Sequence, residues 1–94
     1  MEYEFSDKFI RDLKSFRHDK EFVHLLGAKI NETIKAKSLK NIGGLVSIRK
    51  TKVHYRLKIK SSKEIYRIGL KLLHNVIWFS CIDSNKKRFY KRFP

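Results

Sequence analysis

The chain has 94 residues, of which 41% are hydrophobic and 13% aromatic, a composition that favours one packed domain over residues 1–94 and excludes a disordered chain. No apolar run approaches the roughly 20 residues of a membrane-spanning helix, and the N-terminal residues lack the pattern of a signal peptide, so we expect a cytoplasmic protein without membrane contact. Cys81 is the only cysteine, which excludes an internal disulfide and a multi-cysteine zinc site.

The formal net charge of +14 is concentrated in the second part of the chain. Residues 1–34 contain 6 Lys and Arg against 7 Asp and Glu, a net charge of −1, whereas residues 35–94 contain 17 against 2, a net charge of +15. The two acidic residues there are Glu64 and Asp83, which disfavours a nuclease built on paired carboxylates and metal ions, and we expect no metal or other cofactor. A basic surface that served only solubility would not concentrate its positive charge in one part of the chain. We therefore expect the basic part to bind a polyanion, with nucleic acid as the first candidate.

The first part of the chain is predicted to form a short strand and a helical hairpin. The strand covers Glu2–Phe5, and Ser6 follows as a helix N-cap with Asp7 in the first turn. Asp19 is predicted to cap the second helix. The apolar positions predicted to face the core recur at helical spacing: Phe9, Ile10, Leu13 and Phe16 in the first helix, and Phe22, Val23, Leu26, Ile30 and Ile34 in the second.

From residue 45 onward the apolar residues recur at every second position, which is the period of a strand. The predicted strands are 45–48, 53–60, 66–72 and 76–82. The last of these is apolar on both faces, which is typical of a strand inside a sheet. Residues 83–94 have too little periodicity to assign. The sequence thus predicts an α+β fold, in which a short N-terminal strand and a helical hairpin precede an antiparallel sheet of about four strands, with the helices on one sheet face.

Strand alternation places a set of cations on the sheet face that points away from the helices. These residues are His54, Arg56, Lys58 and Lys60 in one strand and Arg67 and Lys71 in the next. Gly69 lies between the last two and has no side chain, so we expect a shallow place where a nucleotide backbone or base can approach closely. A solvated sheet face is the alternative interpretation of this pattern.

The C-terminal residues add further cations beside aromatic side chains. Lys86, Lys87 and Arg88 precede Phe89 and Tyr90. Aromatic residues among cations can stack on unpaired bases, which would extend the nucleic-acid surface. Alternatively, Phe89 and Phe93 anchor the C-terminus to the core.

The element order β-α-α-β-β-β, with the strands "YRLKI" and "YRIG" and the closing "FYKRFP", resembles the RelE/ParE toxins of bacterial toxin–antitoxin pairs over essentially the whole chain. The resemblance implies a compact α+β toxin that an acidic antitoxin neutralises, either by covering the basic cluster or by displacing the C-terminal tail. The RelE branch, which the basic residues favour, cuts mRNA in the ribosomal A site, and the ParE branch poisons DNA gyrase. A non-catalytic RNA- or ribosome-binding module is the third alternative.

The RelE-like pattern assigns catalytic roles to four residues: Arg56, Lys58, Arg67 and Tyr90. The arginines would hold the scissile phosphate, Lys58 would add charge or protonate the leaving oxygen, and Tyr90 would act as general base. The residues predicted to contact nucleic acid around them are His54, Lys60, Lys71, Lys86, Lys87, Arg88 and Phe89. Asn85 stands where many relatives carry a histidine. Since RNA supplies its own 2′-hydroxyl nucleophile, the reaction needs no metal and leaves a 2′,3′-cyclic phosphate and a 5′-hydroxyl.

Overall fold

Five strands form one mixed sheet with α-helices on both faces, in a computed structural model that describes residues 1–94. In chain order the elements are β1 (Glu2–Phe5), α1 (Asp7–Phe16), α2 (Lys20–Lys35), a 3₁₀ helix (Leu39–Asn41), β2 (Val46–Ser47), β3 (His54–Lys60), β4 (Ile65–Leu73), β5 (Val76–Asp83) and α3 (Lys86–Arg92). The strand order is β1-β5-β4-β3-β2, and the pair of β1 with β5 is parallel while the others are antiparallel. None of the helices combines the length and the apolar character needed to cross a lipid bilayer. The predicted α+β fold is confirmed, with α3 as an additional element.

Side-chain caps begin the first two helices, as predicted. The backbone N–H of Phe9 donates to Ser6 Oγ at 3.1 Å, and that of Phe22 donates to Asp19 Oδ1 at 3.1 Å. Each oxygen takes up one of the N–H groups that the first turn of a helix leaves without a partner. The caps therefore fix where the chain turns from β1 into α1 and from α1 into α2.

The main hydrophobic core lies between the sheet and the pair α1 and α2. Its most deeply buried side chains are Phe9, Phe22, Leu26, Leu57, Tyr66, Ile68, Leu70, Ile77, Phe79 and Ile82. Two predicted core positions are wrong: Ile10 is 42% exposed and Val23 is 38% exposed. A helix on a sheet buries only the stripe that faces the strands, and these two residues lie just outside it, next to Phe9 and Phe22.

A second, smaller core lies on the opposite face, under α3. It consists of Ile48, Cys81, Phe89 and Phe93. The two predicted helices share one face, as expected, and α3, which was not predicted, covers the other face. The short α3 escaped prediction because it contains five cations, and the two phenylalanines that it buries are Phe89 and the C-cap Phe93, one turn apart.

A bulge in β5 determines which side chains reach this second face. The register runs from Leu70 opposite Phe79 to Gly69 opposite Cys81, so Ser80 has no partner. The extra residue reverses the alternation, since Phe79 faces the main core and Cys81 the second core. Asp83 consequently lies on the α3 side of the sheet, opposite Arg67.

Candidate functional site

The hairpin of β3 and β4 brings the predicted cations together. The facing residues are Lys58 with Arg67, Arg56 with Gly69, and His54 with Lys71. These positions alternate with residues of the main core such as Leu57 and Ile68, so their side chains lie on the face that carries α3. The structure thus places Arg56, Lys58 and Arg67 side by side, as the alternation predicted.

Arg67 is the most unusual member of this cluster because the residue is largely buried and yet forms no ion pair. The residue is 7% exposed, its Nε has no hydrogen-bond partner, and no carboxylate forms an ion pair with it. A buried guanidinium without a counter-charge is unfavourable, so a bound anion would satisfy it. Arg67 is therefore the strongest candidate for an anion-binding group.

Lys58 is exposed next to Arg67, and its electrostatic environment is strongly positive. The positive charge of Arg56, followed by that of Arg67, some loss of hydration and the charge of Lys86 in α3, lowers the pKa of the Lys58 ammonium. Each neighbouring cation disfavours the protonated form. The ammonium is consequently a better proton donor than an isolated lysine.

The N-terminal turn of α3 stands next to this cluster. Asn85 is its N-cap and accepts a hydrogen bond from the backbone N–H of Arg88 at 2.8 Å. Lys86 and Tyr90 are four residues apart, so they lie on the same side of the helix. The half-buried Tyr90 packs edge-on against Phe89, with ring centroids 5.0 Å apart, and its carbonyl oxygen accepts a hydrogen bond from Arg49 at 3.2 Å.

An ionic network that the sequence did not predict holds α3 on the sheet. Arg88 binds both carboxylate oxygens of Asp83, with contacts of 2.7, 2.8 and 3.0 Å. Arg92 joins Asp83 at 2.8 Å to Asp12 of α1 at 2.8 and 2.9 Å. The four-residue spacing of Arg88 and Arg92 places both on one side of a helix. It could not predict the ion pairs, because the bulge that turns Asp83 toward these arginines is not visible in the sequence.

The pKa of Asp83 reflects this network. Burial alone would raise the pKa of this carboxyl, but hydrogen bonds from Arg88, the Asn85 N–H and Arg92 outweigh burial and lower it to about 2. Asp83 is therefore ionised at neutral pH and neutralises part of the charge on the two arginines.

Two predicted contacts of this surface need correction. Phe89 is fully buried in the second core, so it cannot stack on a base and instead anchors α3. The space expected over Gly69 is filled, since a methyl group added there would lie 2.8 Å from ring carbons of Phe93.

The remaining predicted contacts differ in exposure. Burial, followed by Lys71 and Arg49, lowers the pKa of His54, whose ring packs against Phe93 with centroids 5.5 Å apart. His54 is thus neutral at neutral pH and partly covered. Lys71 is half-buried. Lys60, Lys86 and Lys87 are exposed. Arg88 is also exposed, but its side chain is bound to Asp83.

The comparisons with known proteins concern the fold. No protein-family model matches the chain, and no curated protein sequence matches it. Among solved structures, the chain is similar to one in the crystal structure of the RelB-RelE antitoxin-toxin complex from Methanococcus jannaschii, with a TM-score of 0.67 and 24% sequence identity. The similarity covers 96% of this chain and 98% of that chain. It confirms the fold expected from the sequence resemblance.

Proposed function

We propose that this protein is the toxin of a toxin–antitoxin pair and that it arrests translation by cutting mRNA on the ribosome. The observation that carries the proposal is Arg67, a largely buried residue beside Lys58 and Arg56 that has no carboxylate partner. A guanidinium offers paired N–H donors that match two oxygens of a phosphate. The fold shared with a chain of the RelB-RelE complex supports the same assignment.

The proposed reaction uses the 2′-hydroxyl of the RNA as nucleophile. The 2′-oxygen forms a bond to phosphorus and the bond from phosphorus to the 5′-oxygen breaks. Tyr90 is the general base that takes the proton of the 2′-hydroxyl, and Lys58 donates a proton to the departing 5′-oxygen. The products are a 2′,3′-cyclic phosphate and a 5′-hydroxyl, so water is not consumed.

Arg56 and Arg67 stabilise the charge that develops during this step. Negative charge grows on the non-bridging oxygens of the phosphate as the 2′-oxygen attacks. Donors fixed in advance by a β-hairpin act on that charge without reorganisation, and each is worth roughly 3–4 kcal/mol of the barrier. The pairing of β3 with β4 supplies this rigidity.

The lowered pKa of Lys58 supports its role as general acid. Its neighbours Arg56 and Arg67 favour loss of the ammonium proton. A proton donor works best when its pKa lies near the working pH. The same cations thus bind the phosphate and prepare Lys58 to release a proton.

The proposed partner is an acidic antitoxin. Residues 35–94 carry a net charge of +15, so an acidic segment would associate quickly and in a salt-dependent manner. Such a segment would compete with RNA for the same cations. Binding of the antitoxin should therefore weaken as ionic strength rises, in parallel with binding of RNA.

A second candidate, inhibition of DNA gyrase without RNA cleavage, is favoured by one observation. Asn85, which stands where many relatives carry a histidine, uses its side chain to cap α3. An amide neither donates nor accepts a proton as an imidazole does. A protein that only binds gyrase would not need a proton-transfer group at this place.

Cleavage of a defined mRNA on purified ribosomes separates the two functions. We expect fragments that end in a 2′,3′-cyclic phosphate, and losses of about 10²-fold or more in rate for Arg67→Ala and Tyr90→Phe. Lys14→Ala, on the distant helix α1, serves as the control and should cleave at the wild-type rate. Absence of cleavage together with inhibition of DNA supercoiling by gyrase would reject the nuclease in favour of the second candidate.

A further inference from the structure

Arg67 and Asp83 are directly opposite one another in the paired strands β4 and β5, yet they form no ion pair. Both side chains lie on the sheet face that carries α3. Facing residues of a strand pair have Cβ atoms within roughly 5.5 Å, so an arginine can easily reach a carboxylate there. The hydrogen bonds of Asp83 explain why this cross-strand pair is not formed.

The carboxylate of Asp83 has no free acceptor position. Oδ1 accepts from Arg88 at 2.7 and 3.0 Å and from the backbone N–H of Asn85 at 3.0 Å. Oδ2 accepts from Arg88 and from Arg92, each at 2.8 Å. A carboxylate offers about four lone-pair sites, and five contacts occupy them.

We propose that Arg88 is a positioning residue that occupies Asp83 and thereby leaves Arg67 free to bind a phosphate. The proposal rests on the proposed function only in taking RNA as the source of that phosphate. Arg88 acts through Asp83, on which Arg92 provides the second contact and fixes Oδ2. If Arg88 is removed, Oδ1 loses two of its three donors. Arg67, which lies opposite Asp83 in the strand pair, is then a cation that can replace them.

This role differs from a direct contact between Arg88 and RNA, which its exposure would otherwise suggest. The Arg88 side chain is 57% exposed, but three of its hydrogen bonds end on a carboxylate whose exposure is 1%. Hydrogen bonds between an arginine and a carboxylate that form at two points are stronger than hydrogen bonds between neutral groups. An arginine held in this way is oriented toward Asp83 and not toward solvent.

The positioning role and a direct RNA contact predict different RNA affinities for the double variant that combines Arg88→Gln with Asp83→Asn. We would measure binding of a 2′-O-methyl RNA oligonucleotide, which cannot be cleaved, by fluorescence anisotropy. Arg88→Gln should weaken binding about tenfold, the loss expected for one charge-assisted hydrogen bond from Arg67. Adding Asp83→Asn should restore affinity to within about threefold of wild type, because the amide has no charge with which to attract Arg67. If Arg88 contacts RNA directly, Asp83→Asn will improve the binding of Arg88→Gln no more than it improves the binding of Lys87→Gln, and the proposal is overturned.

Two further variants separate the positioning role of Arg88 from a general loss of positive charge and from damage to the fold. Lys87→Gln removes the same charge from the neighbouring position, and any loss it causes should not be restored by Asp83→Asn. Arg88→Lys keeps a cation on Asp83 and should retain most of the affinity. A loss in Arg88→Lys equal to that in Arg88→Gln would contradict the positioning role.

A measurement without RNA tests the inference even if the proposed function fails. The Nε–H signal of Arg67 in a ¹⁵N-resolved NMR spectrum should shift, and its exchange with water should slow, when Arg88→Gln frees Asp83. The signal should return toward its wild-type position in the double variant. An unchanged Arg67 signal in Arg88→Gln would overturn the inference, whereas a wild-type protein that binds no RNA would reject the proposed function alone.

Discussion

The ring of Phe93 lies directly on the backbone of Gly69, at the place where the sequence suggested an opening between two cations. This contact holds the C-terminal end of α3 against β4. Because any side chain at position 69 would collide with the ring, Gly69 is required by the packing of the chain on itself and not by an approaching ligand.

Gly69→Ala is accordingly expected to destabilise the protein. The added methyl group would lie 2.8 Å from ring carbons of Phe93 and force the ring away, at a cost of about 1–3 kcal/mol in the free energy of unfolding. Chemical denaturation measures this change. Gly27→Ala is the matched control, since the methyl group there meets nothing within 4 Å and lies in the exposed face of α2. Gly27→Ala should be more stable than the wild type by about 0.5–1 kcal/mol. Equal free energies of unfolding for the two variants would contradict the close contact of Phe93 with Gly69.

The depressed pKa of Asp83 predicts an acid-dependent loss of stability. Its folded pKa of about 2 lies below the ordinary 3.8, so the ionised group stabilises the fold above about pH 4 and this contribution disappears as pH falls toward 2. Asp83→Asn should therefore cost about 2 kcal/mol at pH 7 and much less at pH 2. Urea denaturation across this range checks the prediction, and a difference that does not change with pH would contradict it.

A buried hydrogen-bond network around Asp19 predicts a second stability effect. Asp19 Oδ2 accepts from Ser61 Oγ at 2.7 Å and from the Tyr66 hydroxyl at 2.8 Å, while Oδ1 caps α2. Tyr66→Phe should destabilise the protein by about 1.5–3 kcal/mol, the range for a hydrogen bond to a charged group. Tyr3→Phe, at a residue that is 40% exposed, should have no effect in the same denaturation experiment. If Tyr66→Phe is as stable as the wild type, whether or not Tyr3→Phe loses stability, the hydrogen bond to Asp19 does not stabilise the protein as described.

The pH dependence of cleavage tests the role of Lys58. Because an acid must be protonated to act, single-turnover cleavage should fall as pH rises through the pKa of Lys58, which Arg56 and Arg67 lower from its ordinary 10.5. Removing one of these cations with Arg56→Gln should move that fall to higher pH. Lys58→Arg, which keeps the charge but cannot release a proton, should cleave about 10²-fold more slowly. A fall that stays at the same pH in Arg56→Gln would contradict the assignment.

The sequence predicted the parts of the fold that depend on local patterns. Ser6 and Asp19 are caps, and the alternation in β3 and β4 placed Arg56, Lys58 and Arg67 on one face. These features follow from neighbours along the chain or across one hairpin. The order of the elements followed from the same periodicities, and that order carried the family resemblance.

The parts that the sequence did not predict depend on contacts between distant residues. The bulge at Ser80 cannot be recognised in a strand that is apolar on both faces, yet it turns Asp83 toward α3. From the sequence alone, Arg88 was therefore predicted to be a free cation and Phe89 an aromatic ring able to stack on a base. In the structure Arg88 binds Asp83 and Phe89 is buried in the second core.

Mapping of mRNA 5′ ends after induction of the protein in bacteria tests the central claim most directly. We predict growth arrest with new 5′ ends inside coding regions, which disappear in Arg67→Ala and Tyr90→Phe and persist in Lys14→Ala. Growth arrest with a DNA-damage response and no new 5′ ends, or no arrest at all, would contradict the claim that this protein cuts mRNA.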